Sequence, residues 1–440
     1  MWAADRGSPV ISGDVNNACM GTHYREYQPK QSLLLPPSLQ DWLPEGHLAY
    51  FISDTVEEFD LNEFRAKYQE SGDGALPYEP ALLVKVLLYG YANGVFSSRR
   101  IEKKLHEDVA FRVLGANNFP SYRTIARFRL EHGEALQKLF TQVVHIAQEA
   151  GLVKLGLIAV DGSKVKANAS KHRAMSYGRM KTEDGKLEQE IKDLLKQANA
   201  VDAAEDARYG ADTRGDEIPE ELRRRQDRLA VIQAAKARVE QRHREEQSKD
   251  DGSEPPAKKQ DNFTDPESRI MKTANGFEQC YNTQIAVEDE SRLIVAAEVT
   301  QEPNDKKQLL PTMAAVKKEC GEYPEETLAD SGYRSEEALR GLEKRDITGY
   351  VALGREQEET PNISAEYPAT ARMARRLKGK RGDAKYRKRK SMVEPVFGWI
   401  KQALGFRSFL LRGLKNVRNE GRLLCTALNL KRMSSMLAWE

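Results

Sequence analysis

The texture of the chain changes at Leu155, and that change limits what it can fold into. Before it, apolar residues recur every three or four positions, as in helices. Then LGLIAVDGSKVKANAS supplies a short apolar run, Leu157–Val160, which reads as a buried strand ending on Asp161. GFEQCYNTQIAVEDESRLIVAAEVT holds two strand-like runs about a polar turn at Asp289–Ser291, a hairpin pattern. ETLADSGYRS reads as a short strand ending on Asp330, and ITGYVAL as another. NDKKQLLPTMAAVKKEC and SEEALRGLEKRD are helical segments between them. This order defines an α/β fold, a mixed sheet with helices packed on it.

At 440 residues the chain has room for two to four domains. Residues 1–20 read as a disordered extension, and Gly21–Leu43 as a Pro-rich extended lead. Residues 21–150 read as a helical domain. Pro80 suits the first turn of a helix reaching about Tyr91, Gly94 breaks it, and Ser97 or Ser98 can cap the next. Ser121 can cap a later helix carrying Arg123, Arg127 and Arg129. Helix, turn, helix with arginines on the later helix suits a DNA reader, and suits an ordinary helical bundle too. Residues 151–440 form the α/β unit. It is interrupted at 176–262 by a charged helical insertion, an exposed hairpin or coiled-coil arm closed by a flexible linker, DDGSEPPAKKQDN.

Charge supplies the next constraint. The formal net charge is only +2, which taken alone argues against a nucleic-acid partner. Yet Arg372–Arg432 holds nineteen Lys and Arg against Asp383, Glu394 and Glu420, a surplus of sixteen. The rest of the chain is therefore acidic. The basic segment continues into apolar helical sequence, VFGWIKQALGFRSFLLRGL, so its charge decorates a folded element and points to a polyanion. No apolar run approaches the roughly 18 residues of a spanning helix, and the first twenty residues lack the pattern of a secretory signal. Cys19, Cys280, Cys320 and Cys425 have no zinc or redox spacing, which suits a reducing, cytoplasmic location. The histidines form no HExxH pattern, and there is no GxSxG nucleophile elbow.

Three acids stand out: Asp161 and Asp330 at strand ends, and Glu394 opening an amphipathic helix, MVEPVFGWIKQALGF. Each alone is as ordinary as a turn or helix-start residue. Strand ends gather at one edge of a sheet, so together they can hold two divalent ions about 3.5–4 Å apart. Carboxylate oxygens select Mg²⁺ or Mn²⁺ over zinc.

With these residues in place, the chain resembles the bacterial insertion-sequence transposases of the DDE type, from about Gly21 to Arg432. YREYQPKQ, LLVKVLLYGYANGVFSSRRIEKKLHEDVAFRVL and FPSYRTIARFR resemble the InsH-like helical N-terminal domain. VDGSKVKANAS and LADSGYRS resemble the strands bearing the first two acids. Glu394 and Lys401 fit the end of the signature Y-x2-R-x3-E-x6-K; counting back, Lys390 falls at its Arg position and Arg387 at its Tyr position, with Tyr386 one residue away. The resemblance implies an RNase H-like catalytic domain in which Asp161, Asp330 and Glu394 bind Mg²⁺ or Mn²⁺, two per site. It implies a transposase that binds the inverted-repeat ends of its element, cuts there and joins the ends to target DNA, as at least a homodimer on DNA and with no membrane partner. Lys401, two turns past Glu394, would contact a phosphate, with Lys164 and Lys166 as further candidates. Arg387, Lys388, Arg389 and Lys390 would track the DNA backbone. The other readings are a DNA endonuclease of the same fold, a catalytically silent DNA-binding regulator, and a coiled-coil scaffold.

Overall fold

The computed structural model describes residues 38–68, 76–209, 220–247, 253–354 and 366–437. The expected extension at 1–20 and the YREYQPKQ segment lie outside the described residues. Where the Pro-rich lead comes into view it is not extended: Leu39–Trp42 is a 3₁₀ turn, with the Ser38 amide donating to the Asp41 carboxylate at 3.0 Å.

The N-terminal helices are α1 (Leu48–Glu57), α2 (Asn62–Arg65), α3 (Pro80–Ala92), α4 (Ser98–Glu107), α5 (Val109–Leu114), α6 (Tyr122–Glu131) and α7 (Gly133–Glu149). Their starts follow local chemistry. Pro80 occupies the first turn of α3, where its missing N–H costs nothing. Ser121 Oγ accepts the Thr124 amide to cap α6. Between α4 and α6 lies α5, capped by Asp108, so the expected helix-turn-helix carries an extra short helix in its turn.

The α/β part runs β1 (Leu157–Lys166), β2 (Ala174–Ser176), α8 (Tyr177–Tyr209), α9 (Glu220–Glu246), β3 (Gln260–Asn262), β4 (Arg269–Thr273), β5 (Gly276–Glu288), β6 (Ile294–Thr300), α10 (Leu309–Cys320), β7 (Glu326–Ala329), α11 (Glu336–Glu343), β8 (Thr348–Val351), α12 (Pro368–Lys378), α13 (Lys380–Gly398) and α14 (Leu414–Leu437). The main sheet has the order β4-β5-β1-β7-β8, with β6 also paired to β5. β5 is antiparallel to β1, β4 and β6; β7 runs parallel to β1, and β8 to β7. The sheet is therefore mixed, as the alternation of elements requires.

Two expectations need correction. β1 does not end at Asp161. The thirteen-residue β5 pairs with it as far as Lys166↔Cys280, so the strand runs on through its polar half. Nor is the segment after the arm a loose linker in its described part. Tyr177 and Gly178 amides donate to the Lys259 and Ala257 carbonyls, and β3 pairs with β2, fastening the two roots of the arm together. The arm itself, α8 against α9, has its own small core of Tyr177, Met180, Leu187, Ile232, Ala235 and Val239. Arg238 and Arg242 close on the buried Asp261 at its base.

One continuous hydrophobic core spans the N-terminal helices and the sheet. The texture change near residue 150 thus marks a change of element type within a single packed body. The C-terminal α14 joins the parts, packing on α3, α7 and β6. Within this apolar seam sits a polar relay. Glu420 accepts from the Tyr91 hydroxyl at 3.0 Å and from the Leu410 and Leu411 amides, while Arg129 donates to the Tyr91 oxygen and the Phe96 carbonyl. Arg129, expected on a DNA-facing helix, is thus a buried structural residue. No helix among the described residues is long and apolar enough to cross a membrane.

Candidate active site

β1 and β7 run parallel with Ala159 opposite Leu328. Continuing that register by two residues sets Asp161 beside Asp330, just where β7 ends and β1 runs on paired only with β5. A turn follows β7 because the Asp330 carboxylate accepts the Gly332 amide at 2.8 Å and caps the short 3₁₀ turn Ser331–Tyr333. Asp161 accepts the Gly162 amide at 2.8 Å. The two acids, 169 residues apart in sequence, become neighbours through strand pairing alone.

The third acid arrives on α13. This helix contains Pro395 and passes into a π-helical turn, Trp399–Ala403. Proline removes one helical N–H, and π-turns are favoured where a helix must re-aim a side chain. The re-aimed residue is Lys401, whose ammonium donates to Ser163 Oγ and to the Lys164 carbonyl at 3.0 Å. Glu394 and Lys401 thus both belong to the helix that lies along β1, as the two-turn spacing predicts. Burial lowers the Lys401 pKa, with Cys280 and Asp161 opposing.

Between these acids stands a cation that the sequence pattern misplaced. Arg389, expected on an outward basic track, is buried and turned inward. Its Nη1 donates to Asp161 Oδ2 at 3.3 Å, and its Nη2 lies 4.0 Å from Glu394 Oε1. Tyr386 hydrogen-bonds to it. Tyr386 and Arg389 therefore form the Y-x2-R half of the signature, with one residue more before Glu394 than the pattern has. Lys390 and Arg387, which counting put at the Arg and Tyr positions, are exposed.

A fourth acid escaped the sequence reading. Asp305 follows β6 in a run that reads only as the start of a charged helix. Its Oδ1 accepts from Asn282 Nδ2 at 2.8 Å and Gln284 Nε2 at 2.6 Å. The Gln284 carbonyl in turn accepts from the hydroxyl of the fully buried Tyr333. No periodicity or turn signal marks Asp305; only the folded sheet brings it to Gly162.

The remaining candidates divide. Lys166 is paired with Glu278 at 3.2 Å across the β1–β5 ladder, and Lys164 stays half-buried on the same strand. Lys388 bonds Asp289 at 2.7 Å, and Arg387 bonds Asp383 within its own helix at 2.9 Å. Arg123 and Arg127 are exposed on α6, where Arg123 and Arg99 flank the Tyr122 ring. The α3–α4 loop abuts the loop that follows the active-site helix through Phe96, whose ring meets Phe406 edge-on at 5.0 Å.

The donor set suits a hard divalent cation: carboxylates only, two of them adjacent, with a guanidinium held against them. Among the described residues no three acids, histidines or cysteines stand close enough to share one ion as they are placed, and Arg389 lies between Asp161 and Glu394. Burial pushes the Asp161 carboxyl up to about 6; the Arg389 guanidinium opposes this, and the Asp330 and Asp305 carboxylates add to it. The sign gives a prediction. Below about pH 6 Asp161 carries its proton and binds a cation poorly. The rise in unfolding temperature produced by Mn²⁺ is thus expected to be small at pH 5 and to grow through pH 6 towards pH 7.5. In the metal-free protein the same shift acts the other way: its stabilising contribution is present below the unfolded value near 3.8 and is lost as the pH rises through 6. A thermal-shift series with and without Mn²⁺ reads both, and a pH-independent Mn²⁺ gain would contradict the assignment.

Two family models match the chain. One, described as "Transposase domain (DUF772)", covers residues 37–131. The other, "Transposase DDE domain", covers residues 243–430 and so includes Asp305, Asp330, Glu394 and Lys401. No curated protein and no solved structure matches the chain. The match to a transposase DDE domain marks a metal-dependent enzyme that cuts DNA and transfers its strands. Over these two stretches the chain is similar to insertion-sequence DDE transposases.

Proposed function

We propose that the protein binds the inverted-repeat ends of its own element, hydrolyses a phosphodiester bond there, and joins the freed 3′-hydroxyl to target DNA. The observation that carries this reading is the placement of Asp161 beside Asp330, with Glu394 brought to them by α13 through Arg389. Asp161, Asp330 and Glu394 would hold Mg²⁺ or Mn²⁺, two ions per site. Bound there, the ions supply an activated water or 3′-hydroxyl and charge to stabilise the leaving oxygen. Arg389, between Asp161 and Glu394, would hold the Asp161 carboxylate in a fixed orientation and give way to the ions when they bind. Lys401, anchored to Ser163 two residues beyond Asp161, presents a positive charge to a phosphate at the cut. Its half-buried ammonium is tied down, so little side-chain entropy is lost on contact.

DNA would lie along α13, where Arg387, Lys388 and Lys390 are exposed. The Arg387–Asp383 contact is a surface pair, readily exchanged for a phosphate, and Lys388 pairs with a largely buried Asp289. Arg123 and Arg127 on α6 offer a second contact, and the Phe96–Phe406 junction fixes the helical part against the loop that follows the active-site helix. Two ends cut together require at least a dimer, for which the α8–α9 arm is the candidate bridge.

Replacing Arg387, Lys388 and Lys390 together with alanine, while leaving Arg389, is expected to weaken DNA binding across sequences. It should also flatten the plot of log affinity against log salt by about 1 for each phosphate no longer neutralised. Anisotropy titrations between 50 and 200 mM salt measure this; an unchanged slope would remove α13 from the DNA path. The reading as a whole is tested with DNA carrying the sequences that flank the gene, plus Mg²⁺. Cutting followed by joining supports it, cutting without joining makes the enzyme a nuclease, and binding alone makes it a regulator.

A further inference from the structure

Asp305 carries a charge that its hydrogen bonds do not need. Both amide donors, Asn282 and Gln284, go to one oxygen, Oδ1. An asparagine carbonyl would accept the same two bonds. Among the described residues, Oδ2 has no hydrogen-bond donor and no Lys or Arg pairs with Asp305. The neighbouring Lys306 and Lys307 are exposed.

The position of Asp305 makes its charge costly. A Cβ built on Gly162 would lie 2.6 Å from Asp305 Oδ1 and 2.4 Å from Gln284 Nε2, so the bare backbone beside Asp161 is the cradle in which this carboxylate rests. A Cβ on Gly332 would lie 3.0 Å from Asp330 Oδ1 and 3.7 Å from Asp305 Oδ2, so these two acids border one small space. Asp161, Asp330 and Asp305 all act on the Tyr333 hydroxyl, and Asp305 adds to the proton affinity of Asp161. With Glu394 there are four carboxylates and one buried guanidinium, Arg389, whose Nε finds no acceptor. The cluster lacks positive charge, and its side chains are pinned in place rather than free to turn away. The pins are the two amides on Asp305, the Tyr333–Gln284 bond and the Gly332 amide on Asp330.

Building on the metal-site reading above, we propose that Asp305 is a fourth carboxylate of that site, a cation-binding residue that faces Asp330 across the space beside Gly332. Its amide pins preorganise Oδ1, leaving Oδ2 for the ion or for a water bound to it.

Asp305→Asn separates charge from hydrogen bonding, because the amide keeps the acceptor for Asn282 and Gln284. The full chain without DNA is titrated with Mn²⁺ by calorimetry or by the loss of the free-ion paramagnetic signal, and its unfolding temperature is measured in EDTA. Mn²⁺ affinity is expected to fall by about 10- to 100-fold. The EDTA unfolding temperature should hold or rise, since repulsion is relieved. Affinity within about twofold of the parent overturns the proposal, and so does a loss accompanied by a lower EDTA unfolding temperature, which would make Asp305 merely structural. Asp161→Asn is the reference. If it loses Mn²⁺ and Asp305→Asn does not, only the fourth carboxylate fails. If neither loses Mn²⁺, the metal-site reading fails and takes this one with it.

Discussion

Asp161→Asn is expected to slow strand cleavage by on the order of 10³-fold or more while leaving DNA affinity within a few-fold of the parent. The size follows from what the carboxylate does. A metal-held nucleophile and leaving oxygen are worth several kcal/mol of transition-state stabilisation, and each 1.36 kcal/mol is a factor of ten. Asparagine keeps the volume beside Arg389 and one of the two acceptor oxygens, so the unfolding temperature of the variant is measured alongside its cleavage rate. The substitution removes the charge that binds the ion, and it also removes the partner of a buried guanidinium. Arg389 then has only the more distant Glu394 to face. Asp330→Asn and Glu394→Gln should act in the same direction. Single-turnover cleavage of a labelled end with Mg²⁺, and again with Mn²⁺, gives the measurement, alongside the unfolding temperature of each variant. Cleavage within tenfold of the parent in any of the three would remove that acid from the reaction.

Asp161 and Asp330 could be read in the sequence because a strand declares itself locally, by a short apolar run, and an acid at its end needs no distant information. Glu394 and Lys401 could be read as candidates from their seven-residue spacing, but the π-turn at Trp399–Ala403, which helical spacing does not foresee, sets where Lys401 points. What stayed hidden depends on pairings made elsewhere. The length of β1 is set by β5, more than a hundred residues later. Arg389 and Lys390 are adjacent, and only the roll of α13 against β1 decides which faces Asp161. The pattern count chose Lys390, and packing chose Arg389. Asp305 belongs to a loop whose side chain is aimed by Asn282 and Gln284, two amides that look like ordinary polar residues on a strand. Its signal would have been their spacing of two on β5, which places both on one face, but polar alternation there has a simpler reading as a solvated face. The net charge of +2 was the least informative number of all. The basic residues gather on α12, α13 and the segment after them, and much of the offsetting acid lies in the arm.

Arg129 and Glu420 show the same limit in the core, and they carry the largest expected effect on stability. Nothing in a sequence marks two charges 291 residues apart as partners. Burial raises the Glu420 pKa, and Arg129, the Leu411 and Leu410 amides and the Tyr91 hydroxyl oppose that rise. Glu420→Ala is expected to cost about 3–5 kcal/mol, because each buried donor left without an acceptor costs about 1–3 kcal/mol. It leaves the Tyr91 hydroxyl and two backbone amides without their acceptor and removes the negative charge that offsets Arg129 across Tyr91. Glu420→Gln retains a carbonyl for some of these bonds and should lose less. Because the relay links α3, α6 and α14 with the loop behind Lys401, the damage should appear at the seam between the helical part and the sheet. Urea unfolding followed by far-UV dichroism gives the loss, and limited proteolysis shows whether the chain opens near the α7–β1 connection. A loss below about 1 kcal/mol for Glu420→Ala would mean that water replaces the carboxylate, and that the apolar packing of α14 on α3 and α7 holds the seam without the relay.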